Sequence, residues 1–315
     1  MADPVVELRG ARKTYGSTVA VEGLDLAIPS SATFALLGPN GSGKTTTIRM
    51  ILRIQEPDAG QVRIFGRPPG PGSLDRVGYL PEERGLYPKM TVRDILVFLA
   101  ELKRIPPKEG RGRVERWLER VGLADRAGDT VESLSKGMQQ KLQFIAAVVH
   151  DPELVILDEP FSGLDPINQQ ALRDIVADLR REGRTILFST HIIEHAERLC
   201  DHVCILARGR AVAHGSVGEV KREHGERYVA LGLETWSAVA EAAVREAPGV
   251  GGVTHDGAAF EIRLVDGAAP QALLRHLVER GVDVRRFEVM EPTLHQVFLE
   301  RVGRPPVEME APTVA

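Results

Sequence analysis

The chain has 315 residues, with hydrophobic residues at 43% and charged residues at 27%, a balance that gives a globular core needing no disulfide staples. A net charge of −4 and an aromatic content of 5% argue against a nucleic-acid binder, which carries a basic excess and base-stacking rings. No apolar run approaches the ~20 residues that span a bilayer, and Met1-Ala2-Asp3-Pro4 does not open a secretory signal, so a cytoplasmic protein is expected that meets a membrane only through a partner.

Residues 5–66 read as short strands and turns, interrupted by a loop and a helix. A buried strand is predicted over 32–37, and a helix over 44–53 with Ile48, Ile51 and Leu52 on one face. Gly60 then marks a turn before a strand over 61–66. Residues 91–150 read as helical. Thr91 is a candidate N-cap, and Ile95, Phe98, Leu99 and Leu102 form the predicted inner face. The next helix repeats that spacing with Val114, Trp117, Leu118 and Val121, while Pro106-Pro107 and Gly122 punctuate the segment.

From 153 to 207, strands and helices alternate. Strands are predicted over 154–157, 185–188 and 203–206. Between the first two lies a helix with Leu172, Ile175, Val176 and Leu179 at i, i+3, i+4, i+7 spacing. Such alternation implies a mostly parallel sheet covered by helices. Composition shifts past residue 221, at Lys221-Arg222-Glu223-His224. Beyond it, strands are predicted over 227–233, 250–255, 259–265 and 282–289, with helices over 236–247, 270–280 and 292–302. That βαββαβ order with a terminal helix fits a small ferredoxin-like domain. The domains expected are 1–221 and 222–303, with a flexible Pro-rich tail over 304–315. Cys200 and Cys204 have no second pair with which to hold zinc, so two free thiols are expected.

The chemistry is concentrated in Gly38-Pro39-Asn40-Gly41-Ser42-Gly43-Lys44-Thr45, a Walker A pattern between a predicted strand and a predicted helix. Glycines let the backbone curl so that N–H groups face phosphate oxygens, and the helix aims its positive end there. Lys44 reaches the β- and γ-phosphates, the Thr45 hydroxyl suits Mg²⁺, and Thr46 completes the nucleotide-binding set. Leu154-Val155-Ile156-Leu157-Asp158-Glu159 is a Walker B pattern, an apolar strand ending in two carboxylates. Asp158 is placed for Mg²⁺, and Glu159 for accepting a proton from the attacking water.

Leu134-Ser135-Lys136-Gly137-Met138-Gln139-Gln140 precedes Walker B and resembles the signature of the ATP-binding cassette (ABC) family, with Lys136 and Met138 departing from it. Ser162-Gly163-Leu164-Asp165 looks like the family's D-loop, Thr190-His191 like its switch histidine, and Tyr15 like the ring on which adenine stacks. The resemblance implies a P-loop ABC-type α/β domain with an antiparallel N-terminal β-subdomain and a helical subdomain over about 83–150. It also implies head-to-tail pairing with a second copy or a paralogue. Each ATP would then lie between Walker A of one subunit and Ser135 and Gly137 of the other. His191 would contact the γ-phosphate, and Asp165 would act across the interface. Glu82 stands where the family has a glutamine that senses Mg²⁺ and touches the membrane subunit. A carboxylate also ligates Mg²⁺.

Pro81-Glu82-Glu83-Arg84-Gly85-Leu86-Tyr87-Pro88 and Glu291-Pro292-Thr293-Leu294-His295-Gln296-Val297-Phe298 look like ATPase subunits of ABC-2-type exporters. That implies a separate permease docking on residues 82–135, with the protein peripheral on the inner membrane face. The C-terminal domain reads as a stabilising or dimerising appendage, or as a ligand sensor. Two competing readings are a soluble ABC ATPase of translation, repair or chromosomes and a binding module that no longer hydrolyses ATP. A single cassette, no sustained heptad and the presence of Glu159 argue against them. His191-Ile192-Ile193-Glu194-His195 matches an inverted zinc-protease pattern, but His191 closes a predicted strand and no third ligand is apparent.

Overall fold

The computed structural model describes residues 4–83, 85–223, 227–235, 237–255, 259–265 and 267–303. The expected tail over 304–315 lies outside them. The chain divides into two compact units at Gly215/Ser216.

The first unit opens with β1 (Val6–Tyr15), β2 (Thr18–Ile28) and β3 (Thr33–Leu37), then α1 (Lys44–Ile51), β4 (Ala59–Ile64), the single turn α2 (Pro71–Leu74) and β5 (Val77–Leu80). Three helices follow, α3 (Val92–Leu102), α4 (Pro107–Arg120) and α5 (Lys136–Val148). The unit closes with β6 (Leu154–Asp158), α6 (Pro166–Arg181), β7 (Thr185–Thr190), α7 (Ile193–Leu199), β8 (His202–Ala207) and β9 (Arg210–Ser216). β2-β1-β4 form an antiparallel sheet. A six-stranded sheet runs β5-β6-β7-β3-β8-β9, parallel from β5 through β8. Every residue of β3, β6 and β7 is buried, as the unbroken apolar runs require for strands covered on both faces. Ile48, Met50 and Ile51 of α1 join a core shared with Val6, Ile64 and Ile156, so one helix welds the two sheets together.

Several expectations for the first unit move, beginning with the helix predicted over 44–53, which ends at Ile51 before Arg53 takes positive φ. The strand expected over 61–66 ends at Ile64, because Phe65 and Gly66 both take positive φ in a turn. The expected inner face of α3 is also displaced. Val92, Ile95, Leu96 and Ala100 are buried, whereas Phe98 and Leu102 are exposed. A Cβ on Gly110 of α4 would lie only 3.4 Å from Ala100 Cβ. α3 packs on α4 and α5, and the side facing them is the one that is buried.

The second unit comprises α8 (Val217–Glu223), β10 (Arg227–Leu233), α9 (Ala238–Arg245), β11 (Val250–His255), β12 (Phe260–Leu264), α10 (Pro270–Glu279), β13 (Val284–Met290) and α11 (Leu294–Val302). Its sheet, ordered β11-β12-β10-β13, is antiparallel throughout. Each β–α–β unit leaves a strand between its own two strands, the split arrangement of a ferredoxin-like fold. Val229, Leu231 and Ile262 from the sheet pack on Val244, Leu273 and Leu277 from α9 and α10. Thr293 and Gln296 cap α11 reciprocally, which gives the Glu291-Pro292-Thr293-Leu294-His295-Gln296 run a physical role. The unit begins before the composition shift at 221 because α8 packs against α11.

Candidate nucleotide site

Strand order builds the site. β6, β7 and β3 are adjacent and parallel, with Asp158 beside Ser189 and Thr190 beside Leu37 in register. Their carboxyl ends therefore open on one edge, where ligands bind in open α/β sheets. The phosphate loop leaves β3 after Leu37 and enters α1 at Lys44. Glycine is required at two loop positions. A Cβ on Gly38 would stand 2.4 Å from Leu206 O, and Gly43 sits at φ 108 with Ala20 O only 2.6 Å from where its Cβ would be.

Lys44 Nζ donates to the Gly38 carbonyl at 2.7 Å and the Pro39 carbonyl at 3.2 Å, bracing the loop from inside. Burial lowers its pKa, opposed by the Glu159 carboxylate 3.6 Å away. Thr45 Oγ1 lies 3.4 Å from Asp158 Oδ1. His191 Nδ1 lies 3.0 Å from Glu159 Oε2. Glu159 is only 8% exposed and sits at φ 48, a left-handed conformation that costs a non-glycine residue about 1–3 kcal/mol.

Ser189 was not identified from the sequence. Its hydroxyl donates to Asp158 Oδ1 and accepts the Glu159 N–H at 3.0 Å, so one buried side chain positions both carboxylate residues. The available signal was a hydroxyl ending the apolar run Thr185-Ile186-Leu187-Phe188, since buried polar groups need partners. Ser189→Ala is expected to cut turnover about tenfold and leave ATP affinity unchanged, with Ser189→Thr restoring the rate. Loss of one such bond leaves a buried donor unsatisfied at about 1–3 kcal/mol. Single-turnover kinetics beside equilibrium binding checks this.

Ser42 Oγ and Asp158 Oδ2 are buried and have no hydrogen-bond partner among the described residues. Such orphaned oxygens mark a place for an ion or ligand. Beside Thr45 they form the hard-oxygen set that suits Mg²⁺. Glu82 is exposed in the loop after β5, and its charge is felt at Lys44.

The signature and D-loop residues form a second cluster. Ser135 caps α5 by accepting the Met138 N–H, and Asp165 caps α6 by accepting the Ile167 and Asn168 N–H groups. Asn168 donates its amide to Asp165 and faces Gly137. A Cβ at 137 would stand 2.8 Å from Asn168 Nδ2, so a larger residue there would displace the Asn168 side chain. Among the described residues, neither Ser135 nor Gly137 hydrogen-bonds to the phosphate loop.

Tyr15, 43% exposed at the end of β1, donates its hydroxyl to Gln55. Gln55 in turn folds back on Arg49 of α1, so Tyr15 is anchored near the C-terminal end of that helix. Tyr15→Ala is expected to raise KM for ATP about tenfold and Tyr15→Phe to leave it unchanged, because base–ring stacking is worth about 1–3 kcal/mol. Steady-state kinetics at varied ATP decides it. His191 precedes α7, and His195 packs its ring on Phe161 with centroids 4.5 Å apart. Among the described residues no three His, Cys, Asp or Glu side chains gather as a metal site. Both cysteines are free, and burial raises the Cys204 thiol to about 12.

The fold and the loop define a P-loop α/β nucleotide hydrolase. A family model described as ABC transporter matches residues 21–162, and one described as ATP-binding protein DrrA1-3-like, C-terminal domain, matches 215–302. The chain is 45% identical over 304 residues to an uncharacterized ABC transporter ATP-binding protein of Bacillus subtilis, YhaQ, covering 92% of this chain and 96% of that one. It is 32% identical over 306 residues to the daunorubicin/doxorubicin resistance ATP-binding protein DrrA of Streptomyces peucetius, covering 95% and 93%. A solved ATP-binding subunit of an ABC transporter superposes with a TM-score of 0.66 at 33% identity, covering 70% of this chain and 93% of that one. The chain belongs to the ATP-binding proteins of ABC transporters, as an ATP-hydrolysing subunit related to DrrA-type drug-resistance proteins.

Proposed function

We propose that this chain powers export through a separate ABC-2-type permease by ATP-driven head-to-tail pairing of two ATPase subunits. The observation that carries the pairing is the division of the site. Lys44, Thr45, Asp158, Glu159 and His191 converge, while Ser135, Gly137 and Asp165 form a cluster that, among the described residues, makes no hydrogen bond to them. The second cluster supplies the opposing wall of a neighbour's site, and the partner is a second copy or a paralogue. Export is supported by the C-terminal family match and the drug-resistance relatives. No described helix is long and apolar enough to cross a membrane, so the conduit is another chain. Tyr87, 59% exposed, and Phe98, with rings 6.4 Å apart, offer that chain an apolar contact within residues 82–135.

In the proposed mechanism, residues 38–46 hold the triphosphate, with adenine stacked on Tyr15. Thr45, Asp158 and Glu82 would hold Mg²⁺, which would supply positive charge against the triphosphate. Glu159 accepts a proton as water oxygen attacks the γ-phosphorus. The bond to the β–γ bridging oxygen breaks, and ADP and phosphate leave. His191 holds Glu159 and faces the γ-phosphate. Closure of the pair drives the permease, and hydrolysis reopens it. The test is purification with candidate six-span membrane proteins encoded beside it. Expected is a complex whose ATPase rate exceeds that of the free chain. A chain that binds none of them, and whose rate none changes, would return the soluble reading.

A further inference from the structure

β13 is one of the two edge strands of the second unit's sheet, the other being β11. It pairs with β10 on one side and with no described strand on the other. Its seven residues read Val284-Arg285-Arg286-Phe287-Glu288-Val289-Met290, with no proline; the register with β10 is regular from Arg286 to Met290 and breaks at Arg285. Open edges of this kind are templates for another strand unless something blunts them. Here the charges are arranged about Phe287 as a centre. Arg286 and Glu288 flank it on one face and, within the chain, hydrogen-bond to each other at 3.0 Å.

We propose that β13 is a docking edge for a second copy of this chain, with the two strands antiparallel about a two-fold axis through Phe287. In that register Arg286 stands opposite Glu288 of the second copy, and the same pair recurs across the axis. Phe287 meets its own counterpart. The pairing is confined to the regular stretch about Phe287, because Arg285 is left out of register with β10 at a bulge. Opposite charges directly across a strand pair stabilise it, and like charges destabilise it. A slip that keeps the same faces inward sets Arg286 against Arg286 or Glu288 against Glu288, and an odd slip turns every side chain to the wrong face. The strand is thus self-complementary in one register, as a two-fold interface demands. Backbone hydrogen bonds supply the affinity, and the charges supply the register.

The test uses the full chain without nucleotide, so that pairing through the ATP site does not contribute. Residues directly opposite in an antiparallel pair have Cα atoms about 4.5–5.5 Å apart, within disulfide range. Phe287→Cys is expected to give a disulfide-linked dimer under mild oxidation, while Arg275→Cys, on α10, gives none. Because Phe287 is half-buried, sedimentation of charge variants provides a second readout. Arg286→Glu is expected to weaken self-association at least about tenfold, and Arg286→Glu with Glu288→Arg to restore it. The proposal is overturned if Phe287→Cys cross-links no better than Arg275→Cys, or if Arg286→Glu associates like the native chain. Cross-linking of Phe287→Cys to a co-purified membrane protein, in place of a second copy, overturns it as well.

Discussion

Glu159→Gln is expected to bind ATP as tightly as the native chain and to hydrolyse it at least ~10²-fold more slowly, the scale of a lost general base. The substitution keeps the shape of a side chain that is only 8% exposed. It also keeps an oxygen that can face Lys44 Nζ, which lies 3.6 Å from the native carboxylate. What it removes is the capacity to take a proton. The backbone at Glu159 is pinned by the Ser189 hydroxyl at 3.0 Å, so the amide occupies the same place and a fall in rate reads chemistry, not misplacement. Equilibrium binding of ATP beside single-turnover hydrolysis separates the two quantities. Native-like turnover in this variant would sink the assignment of the base.

Lys44→Ala is expected to weaken ATP binding itself, by about ten- to a hundredfold. A hydrogen bond to a charged group contributes about 1.5–3 kcal/mol, and 1.4 kcal/mol is tenfold in affinity. Two effects combine. The amine is lost as a phosphate ligand, and the loop loses the brace that spans the Gly38 and Pro39 carbonyls. Burial depresses the Lys44 pKa, while the Glu159 and Asp158 carboxylates counter it and favour the cation. Lys44→Arg keeps the charge but brings a planar fork into a space shaped for a compact ammonium, and is expected to bind less tightly than native as well. Titration calorimetry with ATP measures both variants. Unchanged affinity in Lys44→Ala would count against the loop's role.

Much of this protein was legible in one dimension because its chemistry is carried by short contiguous motifs. A glycine-rich loop between a strand and a helix is a contiguous pattern, so residues 38–46 could be proposed as a phosphate cradle without distant information. The apolar runs ending at Asp158 and His191 were equally local, and the alternation of strands and helices implied the parallel sheet. The βαββαβ order of the second unit was readable for the same reason. Boundaries were less so, because Phe65 and Gly66 leave the sheet through positive φ angles, which hydropathy does not register.

Tertiary structure alone decided what depends on neighbours distant in the chain. Only the order β6-β7-β3 brings Asp158, His191 and Lys44 to one edge, since adjacency in a parallel sheet is independent of sequence separation. Only that adjacency sets Ser189 against both carboxylates. The buried face of α3 was set by its packing on α4 and α5, neighbours that a hydropathy pattern does not contain. The placement of Asn168 beside Gly137 was likewise visible only in the fold. Sequence by itself determined that a triphosphate is bound and which side chains are available to act on it. The packing of strands and helices decided which of them meet, because distances between side chains are set by the folded chain's neighbours and not by its order.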